Sequence, residues 1–225
     1  MHIHLYQYTQ FLSLLVAILC YEGLCKYKLS AFLPMLVIVN LIEVTGANYR
    51  ALGYIPWLSN HAIYNLNLLL ETPFRLYLMG QMLRMRSNER LTFRGIAFLC
   101  MLVILLNYLF LQGPFVFNTF SLILIQILTI VLSCFILLRL ALREDIRPNL
   151  WQDPYFWVNA GLLLFALITL VILGLQQYMQ DHKVMLGGKS LYKAIMPLPN
   201  FILYLGYSYA FILCRIPKAR SLLSS

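Results

Sequence analysis

Charged residues are scarce in this chain: they make up 11% of its 225 residues, whereas hydrophobic residues make up 61%. Soluble domains have about 25% charged and 45–50% apolar residues. The composition therefore excludes an ordinary soluble domain and predicts an integral membrane protein. Because each bilayer crossing uses about 20 residues and the connections are short, we expect residues 1–225 to form a single transmembrane domain.

Motifs for catalysis and metal binding are also missing. The sequence has no CxxC, HExxH, GxSxG or Gly-rich phosphate loop, and its five cysteines lie in or beside apolar stretches. The last apolar stretch contains no Lys that could carry retinal. These absences speak against an enzyme, and we expect neither a cofactor nor a bound metal. The net charge of +9 does not indicate nucleic-acid binding, because the basic residues are spread between apolar runs.

Seven apolar segments of about membrane-crossing length follow one another along the chain. They predict an all-α, polytopic bundle of seven transmembrane helices. The first has no basic residue before it and no small-residue cleavage pattern after it, so we expect a retained helix rather than a signal peptide. The segments cover approximately residues 5–22, 30–46, 61–83, 95–112, 117–140, 155–178 and 194–214.

Lys and Arg are divided unevenly between alternate connections. Because basic residues near helix ends are retained in the cytoplasm, the division predicts an N-terminus outside and a C-terminus in the cytoplasm. Twelve lie in the predicted cytoplasmic connections, at 26–28, 84–94, 139–147 and 215–220, against four in the outer ones, at Arg50, Lys183, Lys189 and Lys193.

Two helix starts carry capping signals. Asp153 precedes Pro154, which suits the first helical position because proline has no amide hydrogen to leave unbonded. Ser59 or Asn60 can cap the third helix in the same way, with His61 in its first turn. The capping signals agree with the predicted helix boundaries.

The third segment contains an acid and a base near its middle, where a charged residue costs about 2.5–3.5 kcal/mol on insertion scales. Arg75 follows Glu71 by four residues, the spacing at which side chains on successive turns meet. Pro73 lies between them and loosens the backbone. The pair is either a structural clasp or part of a polar cavity that contacts a ligand, a substrate or a transported proton.

Further polar residues fall in the outer halves of the second, third and seventh segments. Their depths are compatible with an outward-facing polar pocket among the second, third, sixth and seventh helices. The alternative is that the amides bond across helix interfaces and the acid of the second segment lies among lipid headgroups. The predicted ligand-binding residues are Asn40, Glu43, His61, Asn65, Glu71, Arg75 and Asn200.

The stretches NHAIYNLNLLLETPF and DPYFWVNAGLLLF resemble those of an uncharacterised family of small bacterial seven-helix integral membrane proteins. That family has Tyr and Glu in the third helix, as at Tyr64 and Glu71, an acid late in the second, as at Glu43, and a Pro-to-Trp start of the sixth, as at 154–157. The resemblance covers the full order of helices. It implies a bacterial inner (plasma) membrane location and brings no activity with it.

The first functional hypothesis is a sensory or signal-transducing membrane component. Glu43, His61 and Asn65 would bind an outer ligand or sense pH, and the Glu71–Arg75 pair would switch. The basic cytoplasmic loops would meet a separate signalling partner, with the lipid bilayer as the surroundings. The alternative is a small transporter or proton-coupled carrier, followed by a membrane-embedded lipid-modifying enzyme or a purely structural subunit.

Overall fold

The structure is a computed structural model, and the part of the chain that it describes is almost entirely helical. It describes residues 5–49, 59–142, 150–175, 182, 185–186, 189–190 and 194–216. Eight α-helices lie in these ranges: α1 (Leu5–Leu19), α2 (Tyr21–Lys26), α3 (Phe32–Ala47), α4 (Asn60–Met82), α5 (Ser87–Leu106), α6 (Thr119–Ala141), α7 (Pro154–Gly174) and α8 (Pro197–Arg215).

Short elements complete the described structure. A π-helical turn, Asn107–Leu111, continues α5, and a 3-10 turn, Leu150–Gln152, precedes α7. Two residue pairs, β1 (Met185–Leu186) and β2 (Lys189–Ser190), are antiparallel neighbours in the connection before α8.

Four helices are long and apolar enough to cross a membrane: α5 with its π turn, α6, α7 and α8. The apolar parts of α1 and α3 are shorter. Helix α4 has 23 residues, but its Asn, Glu and Arg side chains lower its hydropathy. The chain is therefore an all-α protein with the multi-pass character of a membrane-embedded protein.

The helix boundaries follow the sequence with two corrections. The first apolar segment is broken after Leu19, where α2 begins a new helix. The fourth was predicted to begin at residue 95, but α5 begins at Ser87, because the Glu89 carboxylate accepts a hydrogen bond from the Arg86 amide (3.1 Å) and caps the helix start. The basic stretch that was assigned to a loop thus extends into a helix.

Both predicted caps are confirmed. Ser59 Oγ accepts from the amide of Ala62 (3.1 Å) at the start of α4. Asp153 Oδ1 accepts from the amide of Tyr155 (2.8 Å), and the proline occupies the first turn of α7.

Contacts between helices close a ring. Helix α1 packs against α3 and α8, α3 against α4, α4 against α6, α6 against α7, and α7 against α8. The main hydrophobic core lies inside this ring. Helix α5 lies outside it and is joined to α4 and α6 by a small second core that contains Leu76, Cys100, Ile104 and Ile125.

The backbones of α2 and α8 approach each other closely at Gly23. A Cβ atom at Gly23 would lie only 2.7 Å from the carbonyl oxygen of Cys214. Glycine is therefore required there by the approach of the two helices.

Candidate functional site

Three of the predicted site residues meet in one polar cluster, which joins α1, α3, α4 and α8. Its members are connected by hydrogen bonds or by electrostatic interaction at short range. We call it the Glu43–Glu71 cluster; it consists of Tyr6, Glu43, Tyr64, Asn67, Glu71, Arg75, Tyr204 and Tyr207.

Helix α4 supplies half of the cluster from one face. Tyr64, Asn67, Glu71 and Arg75 are spaced three, four and four residues apart, so they line one side of the helix. At 1.5 Å per residue the stripe is roughly 16 Å long. It runs from the first turns of α4 past the middle of the helix.

Glu71 and Arg75 are bonded to each other within α4. Arg75 Nη2 donates to Glu71 Oε1, and Asn67 Nδ2 donates to Glu71 Oε2 (3.2 Å). The two charged side chains are only 18% and 11% exposed. Both oxygens of Glu71 thus have a donor, and Glu71 and Arg75 are bonded to each other, as the structural interpretation of the pair requires.

Glu43 has weaker partners, which come from two other helices. Its Oε2 accepts from the hydroxyl of Tyr6 on α1 (3.2 Å) and from that of Tyr64 on α4 (3.5 Å). Gly46, one turn further along α3, makes room for the second contact, because a Cβ there would lie 3.0 Å from the Tyr64 hydroxyl. Glu43 therefore links three helices through neutral donors.

The cluster lacks one positive charge and one hydrogen-bond donor. Glu43 and Glu71 interact electrostatically, but Arg75 pairs with Glu71, so an ionised Glu43 has no cationic partner among the described residues. Among the described residues, Asn67 Oδ1 is buried without a hydrogen-bond partner. A buried acceptor without a donor is uncommon and calls for an explanation. One additional proton would correct the charge and could supply a donor.

Two tyrosines of α8 close the cluster from the opposite side. Tyr204 and Tyr207 are buried, and both interact electrostatically with Glu71 and Arg75. Tyr207 also lines a cavity of about 10 Å³ beside Arg75, whose other walls are mostly apolar and include Phe32. That volume is at the limit for one water molecule, so this cavity is too small for an organic ligand.

Asn65 serves a different part of the fold. It is buried, and its Nδ2 donates to the carbonyls of Pro114 (3.0 Å) and Val116 (2.7 Å). Its Oδ1 accepts from the amide of Asn118 (3.0 Å). All of these contacts hold the connection between α5 and α6 against α4.

The remaining predicted residues are not brought into the cluster by their hydrogen bonds. Asn40 and Asn200 each donate to the carbonyl four residues earlier in the same helix (2.7 and 2.9 Å). His61 is exposed at the start of α4, with its ring 6.2 Å from that of Phe117. Of the seven predicted residues, Glu43, Glu71 and Arg75 form the candidate site.

Sequence reasoning missed the tyrosines of α1 and α8. Tyr204 and Tyr207 are three residues apart, so a shared helix face was a usable signal. Tyr6 had no comparable signal, because tyrosine near a helix end usually marks the membrane interface. Tyr64 entered only through the family resemblance.

Comparison with protein-family models, curated proteins and solved structures gives no match. The resemblance to the bacterial seven-helix family thus stays a prediction. Within the described residues, no three His, Cys, Asp or Glu side chains are grouped so that they could hold a metal ion. What the cluster can do chemically is bind a proton, release it, and exchange the hydrogen bonds that depend on it.

Proposed function

We propose that this chain is a sensory, signal-transducing membrane protein that responds to protonation of the Glu43–Glu71 cluster. The observation that supports the proposal most strongly is that the Glu43 carboxylate has no cationic partner among the described residues, because Arg75 pairs with Glu71. In addition, Asn67 Oδ1 is buried without a hydrogen-bond donor.

Glu43 is the acid that takes up the proton. Glu71 already accepts hydrogen bonds from a guanidinium and an amide. Glu43 is bonded only to tyrosine hydroxyls and lies near a second carboxylate. On protonation, Tyr6 and Tyr64 lose a charged acceptor, and hydrogen bonds to a charged group are about twice as strong as neutral ones. The contacts of α3 with α1 and α4 therefore weaken.

Helix α4 connects the cluster with the basic end of the bundle. Just beyond its last turn, the carbonyl of Leu83 accepts from Arg139 Nη1 on α6 (3.0 Å). The guanidinium of Arg84 lies over the ring of Tyr155 on α7 (5.5 Å), and the Tyr155 hydroxyl donates to the carbonyl of Tyr27 (2.7 Å). A shift of α4 would therefore reach α6, α7 and the connection between α2 and α3. We expect a separate cytoplasmic or membrane signalling partner to contact this end.

The proposed topology has seven crossings of a bacterial inner (plasma) membrane, with the N-terminus outside and the C-terminus in the cytoplasm. Single cysteines at His61 and Asn88, introduced after the five natural cysteines are replaced by alanine, test it with a membrane-impermeant maleimide. His61→Cys should react in intact cells. Asn88→Cys should react only after the cells are permeabilised, and the reverse pattern would contradict the orientation.

Hydrogen–deuterium exchange tests the proton response on protein in lipid nanodiscs. The amides around the end of α4 should change their exchange between neutral and acidic pH. Glu43→Gln, which mimics the protonated acid, should abolish the change and leave those amides in the acidic pattern at both pH values. Glu22→Gln is the matched control, because Glu22 is an exposed acid on α2. An unchanged response in Glu43→Gln would refute the proposal.

A proton-coupled carrier is the second candidate. Glu71 and Arg75 lie near the middle of α4, and ionisable residues inside a membrane commonly mark substrate or proton pathways. Vesicles that contain the protein and are loaded with a mixture of amino acids and organic acids distinguish the two functions. A carrier would move protons across the membrane in a Glu43-dependent manner, as read by an internal pH dye. A sensor would change its exchange pattern without net proton passage.

A further inference from the structure

Helix α5 is the least covered of the four long apolar helices. Of its apolar window, 17% is buried, against 33% in α6, 44% in α7 and 50% in α8. It lies outside the ring and has its main contacts with α4 and α6. Most of its surface is therefore free to contact lipid.

Three arginines form a stripe on this outer helix. Arg90 and Arg94 lie four residues apart on one face of α5, and Arg86 precedes them as the N-cap residue of the helix. All three are exposed. The stripe is about 12 Å long. The next position on the same face is Phe98, which is 71% exposed. The surface thus changes from cationic to apolar within one turn.

This change locates the boundary between headgroups and hydrocarbon. The headgroup region of one leaflet is about 5–8 Å deep, so the stripe is longer than that region. With Phe98 in the hydrocarbon, Arg94 and Arg90 lie at the depth of the lipid phosphates. Arg86 lies at the water-facing edge.

The acid of this turn, Glu89, interacts with Arg86 but forms no ion pair with Arg90 or Arg94. Glu89 bonds Arg139 Nη2 of α6 (3.0 Å) and the backbone amide of Arg86 (3.1 Å). Among the described residues, neither Arg90 nor Arg94 has an ion-pair partner. Two uncompensated guanidinium groups therefore face the lipid headgroups.

We propose that Arg90 and Arg94, extended by Arg86, bind the phosphate groups of anionic phospholipids. A guanidinium presents paired N–H donors that match two phosphate oxygens. The surface potential of an anionic leaflet adds a favourable interaction for each basic residue near it. This surface is independent of the proton response, since it requires only that α5 borders the bilayer.

Native mass spectrometry of the full-length protein in detergent tests the proposal, because it resolves lipid adducts and oligomers together. The probes are short-chain phosphatidylglycerol and phosphatidylcholine with the same acyl chains. Phosphatidylglycerol should bind more tightly, and Arg90→Gln/Arg94→Gln should weaken it about 25-fold, that is about fivefold for each arginine. Lys26→Gln/Lys28→Gln, which removes the same charge from exposed positions, should change it little.

Several results would overturn the proposal. Equal phosphatidylglycerol affinity in wild type and in Arg90→Gln/Arg94→Gln would show that these two arginines do not bind the lipid. Equal losses of affinity in the arginine and the lysine double variants would show only a general charge effect. A lipid-free dimer that Arg90→Gln/Arg94→Gln dissociates would assign this face to a second copy of the chain. Arg90→Lys/Arg94→Lys keeps the charge and is the conservative variant to test if the glutamine variant does not fold. It should bind several-fold more weakly than wild type, and full binding would overturn the bidentate contact.

Discussion

The Glu71–Arg75 pair predicts a strongly non-additive effect on the free energy of unfolding. Its side chains are 18% and 11% exposed. Arg75→Met alone leaves Glu71 charged, with Asn67 as its remaining hydrogen-bond donor. Removing one partner of a buried ion pair costs about 3–5 kcal/mol. Glu71→Gln alone should cost about 1–3 kcal/mol, because the glutamine oxygen still accepts from the guanidinium.

The double variant should be far more stable than the sum of these costs implies. Glu71→Gln/Arg75→Met removes both charges, and replacing a whole buried pair is often close to neutral. We therefore expect it within about 1 kcal/mol of wild type, which gives a coupling energy of at least about 3 kcal/mol. Unfolding in mixed dodecyl maltoside and dodecyl sulfate micelles, followed by circular dichroism, measures all four proteins.

The Glu89–Arg139 pair is the control for this cycle. Its side chains are 42% and 30% exposed, and exposed ion pairs contribute little because water screens them. A double-mutant cycle at Glu89 and Arg139 should therefore give a coupling energy several times smaller than the cycle at Glu71 and Arg75. Additive effects of the two substitutions at Glu71 and Arg75, or a double variant as unstable as Arg75→Met, would refute the argument.

Three further predictions concern the fold and the candidate site. Gly23→Ala should destabilise the protein by about 1–3 kcal/mol, because its Cβ would meet the α8 backbone at 2.7 Å. Gly95→Ala has open space around it and should stabilise α5 by up to about 1 kcal/mol. Thermal unfolding of the two variants compares these effects. Asn65→Leu removes three hydrogen bonds to the α5–α6 connection and should cost about 3 kcal/mol, with faster deuterium exchange at residues 112–118. Gly46→Ala should displace the Tyr64 ring and shift the pH midpoint of the exchange response, because the Glu43 carboxylate loses a donor. An unchanged midpoint would contradict the role of that hydroxyl.

The family resemblance drew attention to Glu43 and Glu71, and the functional hypothesis added Arg75. The structure links these three residues through Glu71. The pocket predicted around them was broader. Asn65 had the correct depth and a plausible helix face, but its side-chain amide is hydrogen-bonded to the α5–α6 connection, 49–53 residues further along the chain. No local pattern indicates such a contact.

The sequence by itself determined what depends on near neighbours in the chain. Hydropathy identified the apolar segments, side-chain chemistry placed the caps at Ser59 and Asp153, and four-residue spacing paired Glu71 with Arg75, since helix geometry fixes distances over one turn. Only the tertiary structure decided which helices form the ring, why α5 is left outside it, and which tyrosines reach Glu43. Those outcomes depend on how each helix is rotated about its axis, which hydropathy leaves free and which packing against neighbouring helices sets.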